Sequence, residues 1–191
     1  MIRAMRLAAL WLMAGALLPA SAEDSAVARI ASSAAAPSLQ AAFTPWDDIE
    51  SLIVDALAAA RSQIRVQAYL FSNKKIGAAL IAAHRRGIDV QVLLDARQLE
   101  KTGSELAARL AAAGIPVWLD ERYENAHNKV IVLDADTSGA TVITGSYNFT
   151  WTAQHRNAEN VLIVRDDPVL AARYAMNWER HRQEATPYKK P

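Results

Sequence analysis

The 191-residue chain contains no cysteine. That absence excludes a disulfide framework, a cysteine-ligated zinc or iron–sulfur site, and a thiol nucleophile. An excess of one charge is also missing, since 21 Lys and Arg stand against 20 Asp and Glu for a formal net charge of +1. This balance disfavours a protein that coats nucleic acid through bulk charge, so any anion site has to be local. The apolar run Leu7 to Leu18 is too short to anchor the chain, because a membrane span needs roughly 20 such residues. No internal repeat is visible, and no His-x-His pair supplies a metal site.

What is present begins with an address. Arg3 and Arg6 precede the apolar run, and Ala20-Ser21-Ala22 follows it ahead of Glu23-Asp24. A basic start, a short apolar core and an Ala-x-Ala exit predict a signal peptide over residues 1–22. Its removal after Ala22 leaves 169 residues with 19 basic and 20 acidic side chains, a net charge of −1. An exported chain without cysteine implies a bacterial periplasm or exterior, where the fold stands on packing alone. Residues 23–40 are Ala/Ser-rich without sustained period and predict a flexible lead-in; residues 41–191 are expected to form one catalytic domain.

Beyond Phe43, apolar runs alternate with helical patterns. Asp47 and Asp48 sit at the start of a helix whose apolar positions include Ile49, Leu52, Ile53, Ala56 and Leu57. Ile64–Leu70 alternates as a strand, Ser72 or Asn73 can cap a helix reaching Arg86, and Gly87 ends it. Strands are expected at Ile88–Leu94, Ile115–Leu119, His127–Leu133, Ala140–Thr144 and Asn160–Val164, with one helix over Leu99–Ala113. A last helix starts near Asp166-Asp167-Pro168. The alternation predicts an α/β sandwich with a mixed, mostly parallel sheet flanked by helices.

Three short segments carry the chemistry. In His127-Asn128-Lys129, positions two apart on a strand share a face, and the apolar run Val130–Leu133 anchors the pair. An imidazole nucleophile beside a fixed ammonium suits attack at phosphorus. In Gly145-Ser146-Tyr147-Asn148, a hydroxyl and an amide can converge on one anion. In Asn157-Ala158-Glu159-Asn160, Glu159 adjoins an apolar segment and can hold the second nitrogen of His127. Each segment alone also has an ordinary explanation: an exposed strand start, a turn before a helix cap, and a surface carboxylate. The pair Asp134 and Asp136 reads as turn chemistry, with a weak calcium site as the alternative.

Together the segments resemble the phospholipase D superfamily, whose signature runs His-x-Lys, four residues, Asp, then Gly-Ser-x-Asn. Here it is His127-Asn128-Lys129, Asp134 and Gly145-Ser146-Tyr147-Asn148, and the resemblance to the small bacterial nucleases of that superfamily extends over nearly the whole mature chain. Ten residues separate Asp134 from Gly145, more than the family usually has, so a longer hairpin loop is expected. Larger members hold two copies of the motif; this chain has one, and so resembles the homodimeric branch. The resemblance implies that His127 of one copy attacks the phosphodiester and His127 of the other protonates the leaving oxygen. It further implies that Lys129, Ser146 and Asn148 hold the phosphate oxygens, that Glu159 orients His127, and that Asp134 and Gly145 are structural. It implies no cofactor and no metal ion.

The substrate is expected to be nucleic acid, DNA or RNA, cleaved without sequence preference; the alternative is a phospholipid head group. Arg61, Arg65, Lys74, Lys75, Arg85 and Arg86 stand together with no acidic residue between Ala56 and Ile88. Such a group could follow a nucleic-acid backbone, with Lys74 and Lys75 nearest a strand end. The other explanation is a solvated helix face.

Overall fold

The structure is a computed structural model that describes residues 36–189. The expected signal peptide, most of the expected lead-in, and Lys190 lie outside the described residues. Eight strands form one sheet: β1 (Ser38–Phe43), β2 (Gln63–Ala68), β3 (Asp89–Asp95), β4 (Val117–Asp120), β5 (Lys129–Leu133), β6 (Thr141–Gly145), β7 (Asn160–Arg165) and β8 (Thr186–Pro187). Their order is β1-β7-β6-β5-β2-β3-β4-β8. The helices are α1 (Ile49–Ala59), α2 (Lys74–Arg85), α3 (Ala96–Thr102), α4 (Glu105–Ala112), α5 (Trp151–His155) and α6 (Pro168–Glu184).

The α/β sandwich and the mixed sheet match expectation, but the sheet is mostly antiparallel. Only β2–β3 and β3–β4 run parallel; the pairs β1–β7, β7–β6, β6–β5, β5–β2 and β4–β8 are antiparallel. Helix crossovers between adjacent strands, which parallel pairing requires, occur only between Gln63 and Asp120. The β5–β6 link over residues 134–140 is too short for a crossover and closes a hairpin. Two boundaries also differ. Strand β1 begins at Ser38, inside the stretch read as lead-in, because its full-length ladder with β7 supplies order that its composition does not announce. The helix expected over Leu99–Ala113 is two helices, broken at Gly103, whose φ of 88° favours glycine.

Side-chain alternation decides which helices cover which face. Ile64, Val66, Ile131, Leu133, Ile143 and Ile163 point toward Ile53 and Leu57 of α1, Ile76 and Leu80 of α2, and Leu110 of α4, and all are fully or nearly fully buried. The opposite face presents Val130, Val132 and Val142 to Ala171, Leu170 and Tyr174 of α6. Trp178 of α6 is buried there and its indole donates to the Val66 carbonyl at 2.8 Å. Among the described residues, no helix is long and apolar enough to cross a membrane.

Asp134 ties the two sheet halves together. Its carboxylate accepts from the backbone N–H groups of Arg61 (2.9 Å), Ser62 (2.7 Å) and Gln63 (3.0 Å), and from the Ser62 hydroxyl (2.9 Å). Burial alone would raise its pKa, but these donors outweigh it and hold the carboxyl below the usual aspartate value. Asp136 accepts from the Gln63 side chain at 2.7 Å. Since Asp134 faces N–H donors, the pair is no calcium site.

The tie predicts a stability effect. Asp134→Ala strands buried donors and should cost roughly 3 kcal/mol in urea unfolding. In the wild type the same contribution should be present at neutral pH and be lost as pH falls through the depressed folded-state pKa of Asp134, well into the acid range. Equal stability of wild type and variant at neutral pH would contradict it.

Candidate active site

Sheet topology brings three of the chemical segments to one end. The C-terminal ends of β2 and β6 meet the N-terminal ends of β5 and β7 there, with Ala68 opposite Lys129 and Gly145 opposite Val161. His127 precedes β5 rather than opening it, and is held from both sides. The Ala126 N–H donates to the buried Asp95 carboxylate at 2.7 Å, and the Tyr69 N–H donates to the Asn128 carbonyl at 2.8 Å. The His127 ring is exposed, while Lys129 is 7% exposed.

The Lys129 ammonium donates to the His127 carbonyl at 3.0 Å and lies 3.1 and 3.3 Å from the two ring nitrogens. Tyr69 closes this group. Its ring sits 4.3 Å from the His127 ring, lies 4.9 Å below the ammonium, and is tethered by its hydroxyl to Asn125 at 3.1 Å. Burial pushes the Lys129 pKa down, and the Glu159 carboxylate partly opposes that shift. An ammonium already stripped of water interacts with a phosphate more strongly than a hydrated one.

Glu159 and Ser146 form the second group. The Ser146 hydroxyl donates to Glu159 at 2.5 Å and accepts from the Asn160 N–H at 3.0 Å. Asn157 donates to the other Glu159 oxygen at 2.8 Å, and the Glu159 N–H donates to the Thr44 hydroxyl at 2.9 Å. Within one chain the structure brings Glu159 to Ser146 and Asn157, and among the described residues no carboxylate hydrogen-bonds a His127 nitrogen. Asn148 lines an adjoining cleft of about 280 Å³ with Ser72, Thr150 and Asn157, and its buried Oδ1 has no hydrogen-bond partner. A buried, unpaired acceptor costs roughly 1–3 kcal/mol, and only a hydrogen-bond donor could relieve it; a phosphate oxygen would have to meet the Asn148 Nδ2 instead.

Gly145 permits the contact between β6 and β7. A Cβ there would lie 2.2 Å from the Asn160 carbonyl oxygen and 3.0 Å from the Val161 Cα. Asp134, by contrast, lies at the far end of the sheet beside Gln63.

The run of six basic residues does not form one patch. Lys74 and Lys75 start α2 at the site end, whereas Arg61 and the α2 terminus at Arg85 and Arg86 lie at the other end, because the helix runs back along the sheet. Arg65 is spent on Asp89, Arg86 on the Leu57 carbonyl, and Lys75 on the buried Glu50 at 2.5 Å. Lys74 alone of the six adjoins the site without a salt bridge.

Tyr69, Asp95 and Thr44 support the site without any motif to mark them, whereas Asn157 belongs to the Asn157–Asn160 segment. The one available signal was position: Tyr69 and Asp95 stand at the C-terminal ends of neighbouring parallel strands, where α/β folds place ligands. Among the other histidines, His181 pairs with the buried Asp120 at 2.8 Å, and His155 stacks on Trp151. Among the described residues no three His, Asp or Glu side chains converge as a metal cage.

Two predictions follow from this geometry. Gly145→Ala should displace Ser146 from Glu159 and Asn160 and lower thermal stability; an unchanged melting temperature would show that β7 can yield. Because burial disfavours the Lys129 ammonium, the alkaline limb of the rate profile should fall at lower pH than an ordinary lysine would give. A limb that stays flat beyond the ordinary lysine range would refute that.

Comparison with known proteins gives the family of the chain. A family model described as "Cardiolipin synthase, PLD-like domain" matches residues 53–182. The Rickettsia bellii protein named phospholipase D is 43% identical over 136 residues, which cover 71% of this chain and 65% of that protein. The Xenopus laevis mitochondrial cardiolipin hydrolase is 35% identical over 136 residues, 71% of this chain and 61% of that protein. The chain thus spans less than two thirds of the length of these relatives. Among solved structures, the phospholipase D family member Nuc from Salmonella typhimurium has a TM-score of 0.74 and 34% identity, covering 81% of this chain and 100% of Nuc. NucT from Helicobacter pylori shares the fold at a TM-score of 0.68 and 19% identity, covering 80% of this chain and 100% of NucT. The family model over residues 53–182, together with a backbone shared along the whole of Nuc, places this chain in the phospholipase D superfamily.

Proposed function

We propose that the chain is an exported, homodimeric phosphodiesterase that cleaves nucleic acid without a metal ion or cofactor. One observation carries the reading: a buried ammonium 3.1 Å from an exposed imidazole, at the same sheet end as the Ser146–Glu159 pair. A neutral His127 nitrogen attacks phosphorus, forming a P–N bond while the P–O bond to the leaving group breaks. The leaving oxygen takes a proton from His127 of the second copy. That imidazole then removes a proton from water, whose oxygen attacks phosphorus, breaks the P–N bond and restores the enzyme. Lys129 and Asn148 neutralise and hold the non-bridging oxygens, and the Ser146 hydroxyl, whose hydrogen rests on Glu159 in the free protein, turns that hydrogen to a phosphate oxygen when substrate binds. Glu159 reaches His127 only through this shared site in the dimer, since within one chain it is bound to Ser146 and Asn157.

The names of the curated relatives support a second reading, hydrolysis of a phospholipid head group. Nucleic acid is preferred because Lys74, which has no salt bridge among the described residues, and the exposed Trp151 ring line a cleft that shares Ser72 with the cleft beside Asn148, where Leu70 and Phe71 stand among Ser72, Thr150, Thr152 and Asn157. Export rests on the signal peptide over residues 1–22.

The test incubates the protein with plasmid DNA and with phosphatidylglycerol vesicles, in EDTA. Wild type should cut DNA, and His127→Ala should lose roughly 10³-fold or more of that activity. Loss of cutting in EDTA would sink the metal-free mechanism, and turnover of lipid alone would establish the second reading. Titrating wild type with His127→Ala should depress activity as the fraction of wild-type pairs, and a linear decline would mean one copy suffices.

A further inference from the structure

The first residue of α5 is a tryptophan that the reaction does not use. Trp151 is 55% exposed, yet it is not loose. Its ring meets the His155 ring at 4.6 Å and the Arg156 guanidinium at 5.6 Å. The helix beneath it is bolted down: Thr150 caps it through the Ala153 N–H at 3.1 Å, and Gln154 turns inward. The Gln154 side chain accepts from the Glu50 N–H at 3.0 Å and donates to the Asp47 carbonyl at 3.0 Å. An exposed aromatic on so fixed a support loses little entropy when something stacks on it.

Its surroundings are equally specific. Trp151, Lys74 and Ser72 line a cleft of about 380 Å³, and Ser72 also lines the cleft that holds Asn148. Ser72 thus stands between the cleft of Asn148 on one side and a cation and an aromatic ring on the other. The neighbouring Lys75 is neutralised by Glu50, but the Lys74 ammonium has no ionic partner among the described residues. A free cation beside an exposed ring is the pairing that single-stranded nucleic acid recognises, with the backbone held by charge and a base laid on the ring. In a duplex the bases are already stacked and paired, and their faces are closed to Trp151 unless the helix opens.

Resting on the nucleic-acid reading above, we propose that Trp151 is a base-stacking ledge, with Lys74 as its phosphate contact, that makes the enzyme prefer single-stranded substrate. Binding is measured in the His127→Ala background, so that nothing is cut, with single-stranded and duplex oligonucleotides of equal length over a series of salt concentrations. Adding Trp151→Ala should weaken single-strand binding roughly 10-fold with the salt slope unchanged, while Trp151→Phe keeps most of it. Adding Lys74→Gln should reduce the salt slope by about one. Duplex binding should hardly respond to Trp151→Ala.

Equal losses on single strand and duplex, or no loss on either while DNA is still cut by the His127-intact protein, would overturn the ledge alone. Failure of the His127-intact protein to bind or cut any nucleic acid would overturn the nucleic-acid reading and the ledge with it. Loss of phosphatidylglycerol-vesicle binding in Trp151→Ala, with oligonucleotide binding intact, would overturn the ledge in favour of a lipid contact.

Discussion

Strand β5 lies between β2 and β6, and its register is the constraint on which the site depends. Lys129 opens this strand and Asp134 follows its end, so the two residues occupy opposite ends of the sheet. At the far end, Asp134 gathers three successive N–H groups before and at the start of β2. A slip of one residue would break that clamp and turn every β5 side chain to the other face. Lys129 would then leave the Tyr69 ring at the end of β2, and Ile131 would leave the core it shares with α1 and α2. Asp134 therefore acts on the chemistry through strand register, from the end of the sheet where no chemistry occurs.

At the near end, electrostatics and close packing reinforce each other. Lys129 is buried enough to lose much of its water, and the carboxylate that offsets this cost, Glu159, is held by Ser146 and Asn157. That arrangement requires β6 and β7 to approach until only a glycine fits at position 145. Tyr69 then roofs the imidazole and the ammonium together. The cluster is packed tightly around Lys129 and open at its rim, where His127 and Ser146 remain exposed.

Most element types were legible because hydrophobic period reports on burial, and every central strand here is buried on at least one face. Strand direction was not legible. A strand reads the same whichever way its neighbour runs, and a repeating strand–helix pattern in the first half suggested parallel pairing for the whole. Edge strand β1 was also hidden, because Leu39 and Phe43 remain exposed and its order comes from pairing with β7. The basic run from Arg61 to Arg86 was legible as composition only. Folding α2 back along the sheet sends its members to opposite ends, and partners such as Glu50 and Asp89 neutralise two of them.

The sequence by itself determined the chemical set: His127, Lys129, Ser146, Asn148 and Glu159, in spacings specific enough to name a family, with no cysteine to offer other chemistry. Those spacings are local, and local spacing survives in the linear chain. Tertiary structure alone decided who touches whom across long separations. It placed Tyr69 against His127, gave Asp95 to the Ala126 N–H, turned Glu159 toward Ser146, and left Lys74 and Trp151 facing one cleft. Such contacts depend on strand order and register, which are set by the packing of the whole sheet rather than by any segment of it.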